Sequence, residues 1–307
     1  MPRMAPADKM KNQATLKWLV PLIGILSLIA ASAGLLYQNP GEPYPYINHR
    51  GESVMINGQG LYYYDTVSSA AQVQANDLIT LVVGLPLLMV SVWLAFRGSL
   101  RGRLLLTGTL GFFLYTYMSM ASLVSYNALF LVYVIIFGLS LYAFILGMMS
   151  FDLKTLPENF SEQLPRKWIA ALMFLVGGFL SLAWLGRIVP PLFQNQTPVL
   201  ENTTTLVIQF MDLALIVPLA FLGGLLLLRR SPWGYLLSSI MLAKGVTLGL
   251  AVSAMGINMA RMGVPDSLGV MVPFLVITLL NLVMVALLLK NVETSPMPTQ
   301  LRNEVKP

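Results

Sequence analysis

The sequence predicts an all-α membrane protein of eight transmembrane helices, and three observations carry that reading. Of its 307 residues 56% are hydrophobic and 10% charged, with a mean hydropathy of +0.73, far outside the range of soluble domains. Apolar runs of about 20 residues, the length that crosses a hydrocarbon core, recur along the chain. Lysine and arginine cluster at alternate ends of those runs, the pattern of the positive-inside rule.

The runs occupy roughly 18–37, 77–96, 104–124, 128–149, 168–188, 205–228, 233–256 and 269–289. With the N-terminus inside, Arg3, Lys9, Lys11, Lys17, Arg97, Arg101, Arg103, Lys154, Arg166, Lys167, Arg229, Arg230, Lys290, Arg302 and Lys306 are cytoplasmic. Only Arg50, Arg187 and Arg261 then lie outside, so both termini are expected in the cytoplasm of a plasma or inner-membrane protein. The predicted organisation is a cytoplasmic segment 1–17, a first four-helix half 18–150 with an outer loop 38–76, and a cytoplasmic linker 151–167. A second four-helix half, 168–290, and a disordered cytoplasmic tail, 291–307, complete it. Run 1 has a competing reading as a signal peptide, with Ala31-Ser32-Ala33 as its cleavage site.

The halves share landmarks in one order. Lys17-Trp18 and Lys167-Trp168 open spans 1 and 5, Asp77-Leu78 and Asp212-Leu213 lie in spans 2 and 6, and Pro86 and Pro218 follow. The inner turns read "RGSLRG" and "RRSPWG", and "TLG" recurs at 109–111 and 247–249 after a gap. Four spans per half would give two parallel repeats about an axis normal to the membrane.

The outer loop predicts a β-hairpin at 52–65, with Asn57-Gly58 as its turn, and Asp65 as the cap of a helix leading into span 2. Tyr62, Tyr63 and Tyr64 read as an interfacial anchor, with a ligand platform as the alternative. Tyr115, Tyr117 and Tyr126 read as aromatic belt. Paired glycines at 177–178 and 223–224, with Gly98, Gly102 and Gly108, suit close helix packing.

Composition excludes several functions. There is no cysteine and only one histidine, His49, so Cys-ligated zinc, iron–sulfur clusters and multi-His metal sites are out, and no cofactor is expected. A net charge of +6 without a basic stripe interleaved with aromatics does not point to nucleic acid. Nucleotide loops, Ser-His-Asp sets and carboxylate metal clusters are missing, which leaves an enzyme a distant third reading.

Chemistry therefore rests on polar groups inside the spans. Lys244 lies about 16 Å from the inner end of span 7, too deep for its side chain to reach water directly. Asp212 in span 6 is its natural partner, about 7.5 Å away along the axis. Gln209 lies one turn above Asp212, and Asn281 is at mid-depth in span 8. The four can form one buried network, either a structural pin for the second half or a site for an ion, a proton or a small anion. Asp77 is the remaining candidate, expected as a solvated carboxylate at the outer end of span 2.

The stretches "GLYYYDTVSSAAQ", "RGSLRGRLLLTG" and "MDLALIVPLAFLGGLLLLRRSPWGYLL" resemble a group of uncharacterised prokaryotic integral membrane proteins. That resemblance implies a multi-span fold and no activity. The expected function is translocation of a small solute or ion, proton coupling included, between the two halves. A non-transporting receptor or assembly subunit, with a protein partner at 38–76, is the alternative.

Overall fold

The computed structural model describes residues 10–265 and 267–293; Arg3, Lys9, Arg302, Lys306 and the rest of the tail from 294 lie outside the described residues. Among these, eight helices are long and apolar enough to cross a membrane, making this a multi-pass membrane protein. They are α1 (Gln13–Leu36), α2 (Val67–Phe96), α3 (Leu100–Leu123), α4 (Phe130–Met148), α5 (Arg166–Phe193), α6 (Val207–Leu228), α7 (Pro232–Arg261) and α8 (Ser267–Lys290). The even number brings both chain ends to one face, the termini face. The loop between α1 and α2 lies on the other, the hairpin face.

Helix α3 packs on α2 and α4, and α7 packs on α6 and α8. Helix α1 covers α2 and α4, whereas α5 covers α6 and touches α8 lightly. The two sets meet where α7 lies against α2 and α3. Glycines set the closest approaches: a Cβ at Gly108 would strike Ala243 of α7, and one at Gly224 would come within 2.7 Å of Phe174.

Helices α2 and α6 share an irregularity. Each widens to a π-turn, Thr80–Gly84 and Asp212–Ile216, just before Pro86 and Pro218. Proline lacks an N–H and its ring crowds the carbonyl four residues back, a conflict that an inserted residue relieves. The π-turns stand 132 residues apart (80 to 212), and at that spacing Arg97 matches Arg229, Ser99 matches Ser231 and Gly102 matches Gly234. In this register Asp77 corresponds to Gln209, and Asp212 to Thr80.

The linker on the termini face is packed. Phe151, Leu156, Phe160 and Leu164 are buried with Leu227, Tyr235, Leu236 and Leu288. Phe160 bridges Val292 as an isolated β-pair, and Arg101 Nη2 donates to Val292 O at 2.6 Å.

The hairpin exists, but with another register. Strands β1 (Tyr44–Ile47) and β2 (Ser53–Ile56) pair antiparallel around a turn at Asn48, not at Asn57-Gly58. Asn48 Oδ1 accepts from the backbone N–H of Arg50 and Glu52, closing the turn with its side chain. Gly58 instead adopts φ +69° where a Cβ would strike the Glu42 carbonyl, so its glycine serves a close crossing. The turn then reaches across: Arg50 Nη1 donates to Thr203 O at 2.9 Å, Nη2 donates to Glu201 O, and Asn48 Nδ2 donates to Glu201 O at 2.8 Å.

Thr66, not Asp65, caps α2, accepting from Ser69 N. Asp65 is drawn sideways, its Oδ1 accepting from Ser69 Oγ and from Ser125 N beyond α3. Burial pushes its carboxyl up to about 6 from the usual 3.8, against those hydrogen bonds. The folded state thus holds this proton more tightly than the unfolded chain. Its contribution is full below about pH 4 and is lost as pH rises through about 6. Asp65→Asn is expected to flatten the fall in melting temperature across that window, a difference on the order of 2–3 kcal/mol, read by thermal scans at a series of pH values.

Candidate functional site

A cavity of about 290 Å³, near the lower edge of small-molecule pockets, lies between α3 and α7 on one side and α5, α6 and α8 on the other. Residues of α2 close its end toward the hairpin face. Lys244 and Asp212 both line it.

Lys244 reaches the cavity along a glycine-lined stretch of α3 and ends against Tyr115 of the same helix. Gly108 brings α3 onto α7, and a Cβ at Gly111 would lie 3.7 Å from Lys244 Cδ. The lysine is 7% exposed. Its Nζ sits 4.1 Å from the ring centroid of Tyr115, a cation–π contact. Among the described residues the ion pairs are Arg50–Glu52, Arg166–Glu162 and Arg230–Glu162, so the expected Lys244–Asp212 pair does not close. Tyr115 stands between them instead.

Asp212 opens the π-turn of α6 and is buried. Tyr115 Oη of α3 donates to its Oδ1 at 2.7 Å, and Trp184 Nε1 of α5 donates to its Oδ2 at 2.8 Å. Each carboxylate oxygen thus has a donor, as a buried acceptor requires. Asn281 also lines the cavity, but its Nδ2 donates to Leu242 O at 2.8 Å, tying α8 to α7 over Gly245. Gln209 is buried one turn from Asp212 and does not line the cavity.

Asp77 is apart from this group. It was expected in water, yet it is 1% exposed, because α2 starts at Val67 and leaves Asp77 well inside the helix. Tyr62 Oη donates to its Oδ2 at 2.5 Å, a charge-assisted distance, and a Cβ at Gly34 of α1 would strike that oxygen. The tyrosines divide accordingly. Tyr62 and Tyr117 are wholly buried, while Tyr64 and Tyr126 are exposed as an interfacial anchor requires.

Tyr115 and Trp184 are the two site residues that sequence reasoning missed as such. Trp184 stands near the end of the apolar run at 168–188, where the patterning gives it no distinction. In the structure α5 continues through Pro190 and Pro191 to Phe193, which places Trp184 inside the helix. No family model, curated protein or solved structure matches the chain.

Three outcomes follow for stability in detergent. Tyr115→Phe and Trp184→Phe each remove one bond to a buried carboxylate and are expected to cost about 1.5–3 kcal/mol by thermal or chemical unfolding. Lys244→Met, which breaks no direct ion pair but removes the cation across Tyr115 from Asp212, is expected to melt close to the parent temperature. Gly34→Ala should lose about 1–3 kcal/mol through overpacking, and less in an Asp77→Ala background, where the collision with the carboxylate is gone and only that with Tyr62 Oη remains.

Proposed function

We propose that the protein carries a small solute or ion across the membrane through this cavity. The observation that carries the reading is Lys244, a buried ammonium on the cavity wall that makes no direct ion pair among the described residues and faces Asp212 only across Tyr115. A charge at mid-membrane costs about 2.5–3.5 kcal/mol on insertion scales, and structural pairing would be its simplest compensation. Here the compensation is a ring face and an open cavity, which suits a group kept for a ligand. Asp212 is the second polar wall, and Asn281 holds α7 and α8 together beneath it.

The matched π-turns and prolines at a spacing of 132 residues support two parallel four-helix repeats, 18–150 and 168–290, that rock against each other around the cavity. The basic residues of the termini face support placing both chain ends in the cytoplasm of a cell membrane. The second reading, a receptor or assembly subunit, is favoured by exposed Tyr46, Ile47, Met55 and Tyr64 around the hairpin, a surface that a protein partner would cover.

The chain has no cysteine, so a single one reports unambiguously. Ser119→Cys, on the cavity wall, is expected to react with a membrane-impermeant maleimide from either face of oriented vesicles, and in Lys244→Met from either face as well. Labelling from one face alone would sink translocation and leave the receptor reading.

A further inference from the structure

The ligand's chemistry can be read from the wall, on the reading that the cavity is a solute site. Met120, Met173, Met241, Met255, Met271 and Phe274 supply much of the lining, flexible thioethers that repack around hydrocarbon of varied shape. Along α7 the lined stretch runs from Met241 to Met259, ~27 Å at the rise of a helix. Among the described lining residues, Lys244 and Asp212 carry the formal charges.

Their valences differ. Each Asp212 oxygen already accepts a hydrogen bond, from Tyr115 or from Trp184. Lys244 Nζ lies over the face of the Tyr115 ring and makes no ion pair among the described residues, so it keeps donors for a group in the cavity. The unfilled polar position is cationic, and the group that completes it is an anion. We infer that the cavity binds an amphiphilic carboxylate, its hydrocarbon along the methionine wall and its head on Lys244, together with one proton taken up by Asp212.

The proton follows from charge balance. Lys244 and Asp212 cancel in the empty site, and a carboxylate would leave a net charge of minus one in a medium where an uncompensated charge is strongly disfavoured. A proton drawn from water, forming an O–H bond on Asp212, restores neutrality. The titratable groups facing Asp212 are Tyr115 from α3 and Lys244 from α7, while α5 presents Trp184, which does not titrate. From α8 the cavity receives Asn281 and Thr278, which are uncharged. Asp212 is thus the base available to take the proton.

The test is titration calorimetry of the full chain in lipid nanodiscs with octanoate, repeated in buffers of different ionisation enthalpy to count protons. One proton taken up per octanoate is expected, with Kd tightening roughly tenfold for each unit fall in pH. Asp212→Asn, which mimics the protonated side chain, should bind octanoate more tightly than the parent at neutral pH, near the parent's acid-limit affinity, and lose both the proton and the pH slope. Lys244→Met, checked for folding by its melting temperature, should weaken binding at least roughly thirtyfold. Palmitate delivered in the bilayer shares the chemistry: preference for it assigns the ligand to the membrane, and preference for octanoate assigns it to water. The inference is overturned if neither acid binds, if octan-1-ol binds as tightly as octanoate, or if proton uptake is absent or persists in Asp212→Asn. Two-sided labelling of Ser119→Cys without binding of either acid faults the ligand assignment alone. Binding with one-sided labelling faults translocation and leaves the ligand standing.

Discussion

Asp212 draws one hydrogen bond from α3 and another from α5 onto α6, and the shape of the cavity depends on those two bonds. Interhelical hydrogen bonds of this kind hold spans together, so the carboxylate fixes three helices at one depth. Holding Tyr115 by its hydroxyl also fixes its ring, whose face then lies under the ammonium of Lys244. The tyrosine therefore acts as a wedge. Without it, the long lysine and the carboxylate could collapse into a direct pair, a buried element with little left to offer a ligand.

Much of this was legible in the sequence, and the misses have common causes. Eight spans stand out because a bilayer demands long apolar runs, and Lys244, Asp212 and Asn281 stand out because polar groups inside such runs are rare. What an apolar run does not give is the helix end. The stretch from Val67 to Asn76 falls outside the second run, and although it reads as a helix leading into span 2, the run's edge still put Asp77 in water, whereas packing buries it against Gly34 and Tyr62. At the far end of α5 the run stops at 188 while the helix continues to Phe193, so Trp184, which the sequence did not single out, lies well inside it.

The hairpin was misread for a different reason. Asn57-Gly58 is the stronger local turn signal, but a turn can be closed by side chains as well as by backbone preference. Asn48 supplies such a closure, and tertiary crowding by Glu42 takes the glycine for another purpose. The prolines of α2 and α6 were legible as landmarks. Their π-turns were not, since widening a helix depends on how its neighbours fill the space, and the register between the halves became visible only through those turns.

The contact made by the hairpin turn has a consequence for how this chain can change over time. Arg50 and Asn48 grip the loop of residues 200–205 by its carbonyl oxygens, which every amino acid provides. The gripping residues are held to their identities by this contact, while Thr203 and its neighbours are free of it so long as the loop keeps its path. Variation at that loop could accumulate without loosening the clasp, whereas a single exchange of the arginine for lysine would surrender the planar fork that spans two carbonyls at once.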